Sequence, residues 1–194
     1  MSFPFGGKII VLFHTFILIC CVCFANDNLF KQARALQRDG KYEEAIAAFK
    51  GYLSQPILEN VLSDEQMAMY TDALVQLMNA FQSKGESEAC ITTLKEVFKA
   101  SPVLQKNCLR DYYSVMGYAL SRTEKMRDAE ETMLKALAIP LHQATPERYF
   151  RDYAYAAAVF YSNPNYRKEV VNWCKEAMAQ AEQCRNASGK QWVA

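Results

Sequence analysis

The chain has 194 residues, with 22 Lys and Arg against 21 Asp and Glu, and a net charge of only +1 is too small to draw it to nucleic acid or an anionic lipid surface. With 51% apolar residues the chain can bury a sizeable core, and 7 Gly with 6 Pro are too few turn formers for a barrel or sandwich of many short strands. Two histidines, His14 and His142, leave little material for acid–base or metal chemistry.

The first element reads as an export signal. Lys8 carries the positive charge, Ile9 to Phe24 is nearly continuous hydrophobe, and Phe24-Ala25 gives way to Asn26-Asp27-Asn28. Cleavage is expected after Ala25, giving a signal peptide over 1–25. An uncleaved anchor is the alternative, although the apolar run is short for a bilayer, which takes about 20 residues in a helix. The cut removes Lys8, His14, Cys20, Cys21 and Cys23, and leaves Cys90, Cys108, Cys174 and Cys184. Cys90 and Cys174 fall on the apolar faces of expected helices, where a free thiol packs as a small hydrophobe. Cys174 and Cys184 stand about 15 Å apart along one helix, too far to pair.

Beyond the signal, apolar periodicity predicts helices over 27–38, 42–54, 64–83, 86–99, 103–122, 125–138, 146–162 and 165–186. Start signals agree with it. Ser63-Asp64-Glu65-Gln66 is a capping box, Thr145-Pro146 places an N-cap before a first-turn proline, and Asn163-Pro164 repeats the device. Four stretches also resemble one another, each a turn followed by an amphipathic helix: Gly40 to Phe49, Gly85 to Leu94, Glu124 to Met133 and Asn165 to Cys174. Their anchors Ala45, Cys90, Ala129 and Val170 lie 45, 39 and 41 residues apart, the signature of stacked helix pairs.

The pattern resembles the tetratricopeptide repeat family. On first helices the small and large residues are Ala33/Leu36, Met78/Phe81, Gly117/Leu120 and Ala158/Tyr161. On second helices the places are filled by Ala45/Phe49/Tyr52, Cys90/Leu94/Val97, Ala129/Met133/Ala136 and Val170/Cys174/Ala177. Closing prolines stand at Pro56, Pro102 and Pro140, and the fourth unit has none. The spacing exceeds the family's usual length of about 34 residues. The resemblance implies an all-α fold, an α-α superhelix of antiparallel pairs, with four units near 27–56, 63–102, 103–140 and 146–186. Residues 188–194 read as the start of a further, truncated helix.

The same resemblance implies a concave face lined by the first helices. Mapped here, that face carries Phe30, Arg34 and Arg38, then Val75, Asn79 and Gln82, then Ser114, Tyr118 and Arg122, then Tyr155 and Val159. Arginine, tyrosine and amide side chains suit a protein or peptide partner. Asp27, Asp72, Asp111 and Asp152 recur near the starts of the first helices, either as an acidic rim or as charges complementing helix N-termini. No cofactor and no metal is expected: the mature chain has no phosphate-cradling glycine loop and no metal-spaced cysteine cluster, and its single histidine, His142, falls in a connector. The reading is an exported, periplasmic, non-catalytic scaffold. The alternative is the periplasmic input region of a membrane sensor kinase or regulator, with an anchor downstream. An enzyme would need a pocket built on His142.

Overall fold

The computed structural model describes residues 28–55, 63–140 and 145–188, and all regular structure among them is helical. The first helix, α1, covers 28–38. It is followed by α2 (Tyr42–Leu53), α3 (Asp64–Lys84), α4 (Ser87–Ala100), α5 (Pro102–Asn107), α6 (Leu109–Ser121), α7 (Met126–Ala138) and α8 (Pro146–Phe160). A 3-10 turn, Pro164–Tyr166, then leads into α9 (Arg167–Ser188). The expected leader over 1–25, Pro56, His142 and the segment after Ser188 lie outside the described residues.

Local chemistry sets the ends of these helices. Ser63 Oγ accepts from the Gln66 amide at 3.2 Å, and Gln66 Oε1 accepts from the Ser63 amide at 2.8 Å, so the capping box forms in both directions. Thr145 caps α8 ahead of Pro146, and Asn163 accepts from the Asn165 amide at the start of the 3-10 turn. Gly40 and Gly85 close α1 and α3 with φ of 75° and 73°, a left-handed conformation that carries no Cβ penalty in glycine.

Consecutive helices pack as hairpins, α2 on α3, α6 on α7 and α8 on α9. The hairpins stack because α3, α6 and α8 lie side by side, while α4 leans on α6 and α7 on α8. Helix α1 joins the stack through Phe30, whose ring meets Phe49 and Tyr52, and through Leu29 against Gly51. One continuous core runs from Phe30 to Phe160 through Phe49, Leu74, Leu94, Val115 and Met133. Each such side chain stabilises the fold by about 1.5–3 kcal/mol relative to exposure, and packing is most extensive within the hairpins, with further contact between them. Surface ion pairs also join the helices: Lys50 of α2 with Glu96 of α4 at 3.2 Å, Lys84 of α3 with Glu43 of α2 at 3.0 Å, and Lys125 with Glu88 of α4 at 2.7 Å.

Among the glycines of the described residues, Gly117 is the most closely packed. A Cβ there would meet the Met133 nitrogen at 3.1 Å and the Ala129 carbonyl oxygen at 3.2 Å, so a missing side chain lets α6 and α7 touch backbone to backbone.

Four expectations need correction. The helix expected over 103–122 is two helices, broken at Cys108, where burial of both Leu104 and Cys108 folds the short α5 against α4 and α6. Pro102 opens α5 instead of closing a unit, with Ser101 as its cap. In the last hairpin Ala158 and Tyr161 are exposed, and the buried small and large residues stand one position earlier, at Ala157 and Phe160. Cys174 is exposed and not part of an apolar interface, whereas Cys90, Cys108 and Cys184 are buried; all four thiols are free.

Candidate functional site

The side-by-side helices leave a groove of about 1370 Å³ between α3 on one wall and α8 with the C-terminal half of α9 on the other. Helix α6 packs against both α3 and α8 and so sets their separation. Val75, Phe150, Tyr155 and Met178 supply its main apolar surface, and Phe150 and Met178 are 43% and 73% exposed at its mouth. Asp64, Asp72, Glu147, Arg148, Arg151 and Glu182 supply its charge, with Asn79 and Gln76 between them. The thiol of Cys184, also in the lining, titrates above its ordinary value because of burial and the neighbouring Glu147 carboxylate.

Beneath the α8 wall lies a buried ionic network that sequence reading missed. Asp111 and Asp152 are 0% and 1% exposed. Arg110 Nε donates to Asp152 at 2.7 Å, and Arg151 donates to Asp152 at 3.0 Å and also to Asp111. Arg148 completes the set by donating to Asp111, and Ser114 Oγ donates to Asp152 at 2.9 Å. Arg110 also donates to the Ile139 carbonyl, which ties the connector after α7 into the network. Burial works against the charge of Arg151, but the carboxylates of Asp152 and Asp111 more than offset it and hold its pKa above the ordinary value. Asp111 and Asp152 are therefore neither an acidic rim nor simple helix-end charges, Asp72 lines the groove, and Asp27 lies outside the described residues. Asp111 and Asp152 staple α6 to α8, and Asp72 joins α3 to α1 by accepting from Arg34 at 2.8 Å. A signal was present: Arg-Asp-Tyr occurs at 110–112 and again at 151–153, and the two Arg-Asp dipeptides pair reciprocally across the helices.

The residues mapped to a concave face are distributed unevenly. Tyr118, Arg122 and Tyr155 come together: the two rings stack at 4.2 Å and 6°, with the Arg122 guanidinium 5.8 Å from the centre of Tyr118. Tyr155 lines the groove, and burial pushes its hydroxyl up to about 12. Asn79 and Val75 also line it. Gln82 is half-buried one turn further along α3, and its amide nitrogen has no hydrogen-bond partner among the described residues. Arg34 and Arg38 are exposed on α1, Arg34 being held by Asp72. Phe30, Ser114 and Val159 are buried, so they belong to the core and not to an open face, because a neighbouring helix covers the side that the helical spacing assigned to solvent. Phe150, Met178 and Arg148, which also line the groove, lie off the mapped face because that mapping takes α9 for an outer helix and follows another stripe of α8.

Among the described residues, no group of three His, Cys, Asp or Glu side chains gathers as a metal site, and no helix is long and apolar enough to cross a membrane. No protein-family model and no curated protein matches the chain. The structure is similar to the solved structure of MamA protein, with a TM-score of 0.46 and 18% identity over 87% of this chain and 79% of that one.

Proposed function

We propose that the protein is an exported, tetratricopeptide-like, non-catalytic scaffold that holds a segment of a partner protein in the groove between α3, α8 and α9. The observation that carries the reading is the groove itself. Its volume of about 1370 Å³ exceeds the roughly 300–1,000 Å³ of small-molecule pockets, and two large apolar side chains stand exposed at its mouth. Polar groups of both signs along the walls supply the orientation that an apolar cleft alone lacks. The order of basic residue, apolar run and small residue in the first 25 positions supports export, with the periplasm as the compartment.

The test is selection of binders from an unbiased displayed peptide library on the purified protein. Selected peptides are expected to lose affinity at least about tenfold on Phe150→Asp or Met178→Asp, each of which places a charge in an apolar contact. Binders that ignore both substitutions, or a library that yields none, refute the groove as the site.

A further inference from the structure

We infer that the occupant of the groove is a basic amphipathic helix, an inference that rests on the groove being a peptide site. Among the ionisable side chains lining it, four are carboxylates, Asp64, Asp72, Glu147 and Glu182, and two are guanidiniums, Arg148 and Arg151. Those two guanidiniums, with Arg110, donate to Asp111 and Asp152 beneath the wall, and Asp72 accepts from Arg34, so the lining and the groups paired beneath it together hold six carboxylates against four guanidiniums. The N-terminal ends of α3 and α8 temper Asp64 and Glu147, while the C-terminal part of α9 adds partial negative charge near Glu182. The field at the mouth stays negative, so a cationic partner is drawn in and an anionic one is repelled.

The walls also select the partner's backbone conformation. Apart from Thr145 and the first turns of α3 and α8, the lining residues stand in helices whose backbone amides and carbonyls are taken up internally, so an extended peptide finds no continuous row of backbone partners here. A helical segment satisfies its own backbone and needs only an apolar stripe, which Val75, Phe150, Tyr155 and Met178 receive. The flexible side chain of Met178, 73% exposed, adapts to stripes of different shape, so charge sets selectivity more than the fit of any one apolar residue.

The experiment uses displayed helical peptides with a fixed i, i+3, i+4, i+7 leucine stripe and flanking positions free to be Lys, Glu, Gln or Ser. Enrichment of Lys is expected. Selected peptides should lose affinity at least about tenfold between roughly 0.05 and 0.5 M salt, and by a similar factor in the triple variant Asp64→Asn, Glu147→Gln, Glu182→Gln. Enrichment of Glu, or salt-independent binding that the triple variant keeps, overturns the inference. Should those same peptides still be lost on Phe150→Asp, the groove reading survives and only the sign of the partner is wrong. Sedimentation of the protein alone closes the remaining route: a dimer that Phe150→Asp dissociates makes the occupant a second copy of this chain and overturns the basic helix.

Discussion

Asp72 and Asp111 stand on neighbouring first helices and both accept from arginine, yet their surroundings differ enough to give opposite expectations on substitution. Asn is the informative replacement because it keeps the volume and removes the charge, so no cavity confuses the result. At Asp111 the side chain is 1% exposed and both oxygens are taken, by Arg148 and Arg151, whose side chains are 12% exposed. Asp111→Asn leaves three buried guanidiniums, those of Arg110, Arg148 and Arg151, with a single carboxylate, Asp152, in the network. Breaking a buried pair in this way costs about 3–5 kcal/mol, and the groove-facing position of both arginines favours the lower figure, about 3 kcal/mol. At Asp72 the paired side chains are 35% and 49% exposed, and an open ion pair is worth below about 1 kcal/mol. Urea unfolding followed by circular dichroism measures both. The midpoint should fall steeply for Asp111→Asn and barely for Asp72→Asn, with the slope m unchanged. In thermal scans a loss of about 3 kcal/mol corresponds to roughly 6–12 °C at this chain length. Equal losses at the two positions, or a loss below about 1 kcal/mol at Asp111, would show that water reaches the network and that burial does not set its worth.

Gly117→Ala places a methyl 3.1–3.3 Å from backbone atoms of α7, which costs about 1–3 kcal/mol in overpacking against about 1 kcal/mol regained in helix propensity. A net loss of about 1 kcal/mol in the urea midpoint is expected, and a stabilised variant would mean that α7 moves away freely. Alkaline pH provides a separate check. Burial pushes the thiols of Cys90 and Cys108 and the hydroxyls of Tyr112 and Tyr155 up to about 12, all neutral when protonated. In the unfolded chain thiols ionise near about 8.5 and phenols near about 10, so the folded form holds more protons in between. Stability is therefore whole below about pH 8 and declines as pH rises toward 12, by up to about 1.4 kcal/mol per pH unit for each group. A urea midpoint unchanged between about pH 7.5 and 10.5 would contradict this.

Most helices were readable from the sequence because three signals coincided there, apolar spacing, capping side chains and turn glycines, as at Ser63 and Gly85. The break at Cys108 was not, because residues 103–121 contain no proline and only Gly117, so the run looks like one helix. The burial of Leu104 and Cys108 against α4 and α6 is a tertiary preference that spacing cannot carry. The one-residue shift in the last hairpin has a similar origin: Ala156, Ala157 and Ala158 offer no difference in size from which to choose the inward position. The groove was half legible. Tyr118, Arg122 and Tyr155 do converge, but charged residues at a helix start are ordinarily solvated, and only the repeated Arg-Asp-Tyr hinted that these were buried. Nor could periodicity show that α9 reaches the same cleft as α3, since the α6–α7 hairpin separates those helices along the chain.

The two walls of the groove thus come from units that are not neighbours in the stack, and α6 lies between them, clamped to α8 by five charged side chains. A small change of tilt at that clamp is multiplied across the gap, as the angle of a hinge is at the free edge of a door. The jaws of this molecule are therefore adjusted from the inside: substitutions at Arg110 or Ser114, neither of which lines the cleft, should alter how wide it stands and how long a guest stays, and a well-fitting guest should in turn make the whole stack harder to melt.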